Sequence, residues 1–130
     1  MKRKRIDPAK IIQSLSDKAS EYLGDPARMK ALLSKASFKI KDNNQLSDMF
    51  EDIGLVISLT KDYTRNSYRN ISKVSMAAIV AGIIYLVNPM DIIPDFLLGG
   101  FIDDAAVIGY ILTKLRDELD RYKRWKNPEA

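Results

Sequence analysis

Apolar residues recur along this chain at intervals of three and four, and no stretch alternates with a period of two, so every periodic segment predicts a helix. Asp7-Pro8 suits a helix start, because the carboxylate accepts free amide hydrogens and proline fits the first helical position. Ile12, Leu15, Ala19 and Tyr22 then share one face, and Gly24 ends the segment. Asp25-Pro26 repeats the opening, and Met29, Leu32, Leu33, Ala36 and Ile40 form the next stripe. After the polar break Lys41-Asp42-Asn43-Asn44, a third helix is predicted from near Leu46. Its buried side carries Met49, Phe50, Ile53, Ile57, Thr60 and Tyr63. Thr64 to Asn70 reads as a loop. A fourth helix runs from about Ile71 to Val87 and is apolar on nearly all sides from Met76, so it must be enclosed by protein or by lipid. Asn88-Pro89 closes it, since proline disfavours helical geometry in the residue before it. The last helix starts at Asp103 or Asp104 and runs to about Trp125, with Ile108, Ile111, Leu112, Leu115, Leu119 and Tyr122 on its stripe. It turns from apolar to charged at Lys114.

This pattern predicts one all-α domain spanning residues 1–130, with about five helices. Residues 71–126 form a central apolar helical hairpin, wrapped by the helices that precede it. Residues 1–6, with the run Lys2-Arg3-Lys4-Arg5, read as a flexible basic tail. No apolar signal-peptide core follows that run.

Charge changes the picture more than composition does. Residues 74–113 contain no Lys or Arg, in a chain that has 21. They hold four aspartates instead, Asp91, Asp95, Asp103 and Asp104, while both flanks are net basic. Basic flanks suit an anionic surface, and they suit solvated helix faces equally well. With neither Cys nor His in the sequence, thiol nucleophiles, disulfides, imidazole catalysis and His-based metal sites are excluded. A metal, if bound, would be a hard cation held by oxygens. No helix-turn-helix or sheet-based stacking platform is recognisable, so no specific nucleic-acid partner is expected.

The four aspartates admit two roles. As helix caps, Asp91 and Asp103 or Asp104 would accept backbone amides and complement a helix dipole, while Gly99-Gly100 supplies the freedom to reverse direction. As a convergent cluster, Asp91, Asp95, Asp103 and Asp104 would repel one another and require Mg²⁺, Mn²⁺, Ca²⁺, or an Arg or Lys from the N-terminal helices. No Gly-rich phosphate loop and no nucleophile accompany them, so the reading leans away from an enzyme.

Tyr85-Leu-Val-Asn-Pro-Met-Asp-Ile-Ile-Pro-Asp-Phe96, a Gly-containing turn, then Asp103-Asp-Ala-Ala-Val-Ile108 resembles the YkvA-like domain. The matching positions are Pro89, Asp91, Ile93, Pro94, Asp95, Gly100, Asp103 and Asp104. The resemblance implies a bacterial or archaeal domain connected with membranes, and it brings no established activity.

Length weighs against a two-pass membrane hairpin. Val74 to Val87 spans about 21 Å as a helix, against a hydrocarbon core of about 30 Å. Ala105 to Thr113 reaches only about 14 Å by the same rise. A re-entrant hairpin, or one tilted span from Ser72 to Ile93, stays open. Trp125, beside Lys123, Arg124 and Lys126, fits an interfacial anchor. The expected function is a non-enzymatic interaction module at the cytoplasmic face of the membrane, with a protein partner or an anionic lipid surface and no resident cofactor. The alternative is a soluble acidic protein that binds a divalent cation or hydrolyses a substrate at the four aspartates.

Overall fold

The computed structural model describes residues 4–5, 8–41, 49–87, 100–101 and 104–128. In chain order these are β1 (Lys4–Arg5), α1 (Pro8–Ser14), α2 (Ser16–Leu23), α3 (Pro26–Lys41), α4 (Phe50–Thr64), α5 (Lys73–Val87), β2 (Gly100–Phe101), α6 (Asp104–Lys114) and α7 (Arg116–Lys126). The fold is all-α. The two short strands pair in parallel, Lys4 opposite Gly100 and Arg5 opposite Phe101. Within the expected tail of residues 1–6, Lys4 and Arg5 have a defined backbone partner, and the rest of that stretch lies outside the described residues.

Seven helices are described where about five are expected, because the first and last expected helices each break at a leucine. At Leu15 the backbone turns to φ −100°, ψ 3°, and at Leu115 to φ −112°, ψ 22°. Around the first break, the Ser14 hydroxyl donates to Lys10 O at 2.8 Å and the Ser16 hydroxyl to Gln13 O at 2.9 Å. Serine bonding back to the preceding turn bends helices. The second break redirects the chain, so that α6 packs on α5 while α7 packs on α4.

Two predicted starts have visible chemistry. Asp25 Oδ1 accepts the Arg28 amide at 3.2 Å, with Pro26 in the first helical position of α3. For α5, the Ser72 hydroxyl accepts the Ser75 amide at 3.1 Å, which sets the first residue at Lys73 rather than Ile71. The expected starts at Asp7 and Leu46 lie outside the described residues. α4 ends where Asn66 adopts φ 64°, allowing Ser67 N–H to reach Asp62 O at 2.8 Å and Asn66 N–H to reach Tyr63 O at 3.0 Å. This left-handed cap turns Tyr68 back into the protein, where it is buried.

α5 occupies the centre and packs against α1, α2, α3, α4 and α6. Residues 79–81 and 83–86 on it are all at most 3% exposed, so every side of the helix meets protein. Gly82 lets α6 approach closely: a Cβ there would collide with Ile111 Cδ1. The stripes of the outer helices close over this centre. Met29, Leu32, Leu33, Ala36 and Ile40 are the buried residues of α3, and Ile108, Ile111 and Leu112 on α6, Leu115 at the break, and Leu119 and Tyr122 on α7 are all buried.

Candidate functional site

Of the four aspartates singled out by sequence, Asp91, Asp95 and Asp103 lie outside the described residues. Asp104 is the first residue of α6, a position where a carboxylate complements the helix dipole. Among the described residues, no three acids are placed to share a metal ion. The β1–β2 pairing does bring the cationic residues Lys4 and Arg5 into register with Gly100 and Phe101, a few positions before Asp103 and Asp104.

The described polar centre lies elsewhere, between α4 and α7. Asp62 is 8% exposed on the inner side of α4, and Tyr122 on α7 is completely buried. The Tyr122 hydroxyl donates to Asp62 Oδ2 at 2.6 Å, and Lys126 Nζ donates to the same oxygen at 2.9 Å. Because the phenol proton goes to Asp62, the Ser58 hydroxyl, 2.6 Å from Tyr122 Oη, donates to that oxygen. Burial pushes the Asp62 carboxyl up, but the Tyr122 and Lys126 hydrogen bonds, with the charges of Lys126 and Arg65, hold it below its ordinary value. Burial and then the bond to Asp62 raise the Tyr122 phenol, and the bond to Asp62 raises the Lys126 ammonium.

Near neutral pH these groups are therefore a carboxylate, a phenol and an ammonium, each held in one state. None can exchange a proton readily, and none sits as a base on Ser58. The cluster is a structural tie. Aromatic packing completes it, with the Tyr68 ring 5.1 Å from Tyr122 and the Trp125 ring 5.0 Å from Tyr68 and 5.9 Å from Tyr122. Trp125, expected as an interfacial anchor, is 47% exposed and gives one side to this stack.

A groove runs over the tie along the seam of α3 and α4. Three adjoining hollows of about 500, 430 and 300 Å³ share Lys61 in their walls. The cations lining them are Lys30 and Lys41 from α3, Lys61 from α4, Arg65 from its cap, and Lys126 from α7. Among the described residues, Asp62 is the only acid in these walls, and it is held by Tyr122 and Lys126. Lys30, Lys41 and Lys61 form no ion pair with another described residue. Gly54 borders the groove, and a Cβ there would meet nothing within 4 Å. Beside Lys41 on the same wall, Phe38 stands 74% exposed. Sequence reasoning reads these lysines as ordinary solvated faces. Their helical spacing on α3 was a usable signal, but their meeting with α4 depends on packing.

The protein is thus a helical bundle that encloses its most apolar helix and presents a cationic groove. The chain belongs to the YkvA-like family. The family model described as a protein of unknown function (DUF1232) matches residues 75–110, which cover most of α5, the following connector and the first turns of α6. The chain is similar to the uncharacterized membrane protein YkvA of Bacillus subtilis (strain 168). They are 37% identical over 93 residues, 71% of this chain and 85% of that protein. No solved structure matches.

Proposed function

We propose that the protein is a non-enzymatic helical interaction module that attaches peripherally to the cytoplasmic face of the bacterial membrane. The observation that carries this reading is the enclosure of α5. A relative is called a membrane protein, yet among the described residues no helix is long and apolar enough to cross a membrane. The 15 residues of α5 amount to about 22 Å, short of a bilayer core of about 30 Å, and residues 79–86 are enclosed by protein. Contact with a membrane then falls to the surface, which is basic in a chain of net charge +4.

Fractionation of cells producing the untagged protein tests this. A peripheral module sediments with membranes and is released by high salt or alkaline carbonate without detergent. Release by detergent alone would identify an integral protein and defeat the reading, as would recovery entirely in the high-speed supernatant at low salt.

A further inference from the structure

We infer that the α3–α4 groove is the membrane-docking surface, binding the phosphate headgroups of anionic phospholipids while Phe38 enters the boundary of the acyl chains. This rests on the peripheral reading above and assigns it a face. The charge in the groove points outward: Lys30, Lys41 and Lys61 lack described ion-pair partners, whereas Asp62 is covered and neutralised by Tyr122 and Lys126. On α3, Lys30, Ser34, Ser37 and Lys41 fall within a narrow arc, and Phe38 borders it. Lys61 and Arg65, one turn apart, face that arc across the groove.

A single exposed phenylalanine is ordinary on a soluble protein. Here it borders the arc of Lys30 and Lys41, the arrangement of an interfacial surface that combines basic attraction with a small apolar insertion. A nucleic acid would engage the same cations, but Phe38 offers it a platform for a single base: among the described residues no second aromatic lines the groove to stack the next one.

The test is co-sedimentation of the purified full chain with phosphatidylcholine vesicles, with or without phosphatidylglycerol. The wild type should bind only the vesicles containing phosphatidylglycerol, and more weakly as salt rises. Each basic residue near an anionic surface contributes about fivefold in partitioning, so Lys61→Glu with Arg65→Glu should weaken binding by about 25-fold or more. Lys30→Glu with Lys41→Glu provides an independent pair, and circular dichroism confirms that each variant is folded. Phe38→Ala should lose about tenfold. Lys18→Glu with Lys114→Glu makes the same charge change at exposed positions outside the groove and should lose far less.

Equal losses from the groove pairs and the control pair would reduce the effect to net charge and overturn the site. Unchanged binding by both groove pairs would also overturn it, while leaving peripheral attachment intact. A wild type that ignores these vesicles but sediments with cell membranes would refute the lipid site and leave a protein receptor as the attachment. Groove-dependent binding to duplex DNA or RNA without binding to vesicles would replace the lipid by nucleic acid.

Discussion

Replacing Tyr122 with Phe removes one oxygen from the core and should lower stability by about 1.5–3 kcal/mol at neutral pH, the range for a hydrogen bond to a charged partner. The ring keeps its place, because its packing on Tyr68 and Trp125 does not involve the hydroxyl. What is lost is the 2.6 Å bond to Asp62 and the acceptor for Ser58. Ser58 is half-buried and can turn to water, so the Asp62 bond dominates. The deficit should depend on pH. Asp62 has a folded pKa below its ordinary 3.8, so its contribution is present above that value and disappears as pH falls through the folded pKa. Once Asp62 is protonated, the lost bond joins neutral groups and is worth about 1 kcal/mol. The wild type should therefore lose more stability than Tyr122→Phe in acid, and the two unfolding curves should approach each other. Urea titrations followed by circular dichroism, at neutral pH and stepped below 3.8, measure this through the midpoint at constant slope. Equal stability at neutral pH, or a deficit that does not shrink in acid, would refute the tie.

Trp125→Ala should cost about 1–3 kcal/mol from two lost ring contacts of about 0.5–1.5 kcal/mol each, read by thermal melting. Gly82→Ala should destabilise less in an Ile111→Val background than alone, since valine lacks the Cδ1 that a new Cβ would strike. A double-mutant coupling below about 0.5 kcal/mol would count against that contact. Asp104→Asn should lower stability by about 0.3–1 kcal/mol through the α6 dipole, an effect that added salt reduces. For Asp91, Asp95, Asp103 and Asp104 together, a shared metal site would make millimolar Mg²⁺, Mn²⁺ or Ca²⁺ raise the melting temperature by mass action. Capping carboxylates leave the curve unmoved, and that is the expected result.

Local chemistry was legible in the sequence wherever one helix decides it. The α3 stripe from Met29 to Ile40 is buried residue for residue, and Asp25 caps as its position next to Pro26 implies. Apolar residues on all sides of α5 announced its enclosure. Features that need two helices were not legible. Asp62 and Tyr122 are 60 residues apart, and Tyr122 reads as one more member of an apolar stripe. The available hint was general: a buried tyrosine hydroxyl requires a partner, but periodicity does not name it. The breaks at Leu15 and Leu115 were hidden for a different reason, because each leucine keeps its place on the buried face while the helix axis bends around it.

Hydropathy by itself does not distinguish a helix enclosed by protein from one enclosed by lipid, so α5 reads the same in either setting. The other helices decide the matter. A helix in lipid needs no amphipathic partners, whereas one in a globular core needs neighbours with apolar faces wide enough to cover it. This chain supplies them: α1, α2, α3, α4 and α6 each carry an apolar face and each packs on α5. Moving α5 into a bilayer would expose those faces to water or require all of them to follow. None is long and apolar enough to span, and α2 and α3 carry charged residues on their opposite sides. The stripes therefore fix α5 in the protein interior. On the proposed peripheral reading, contact with the membrane falls to the cationic shell, where Lys30, Lys41, Lys61, Arg65 and Phe38 offer the surface to test.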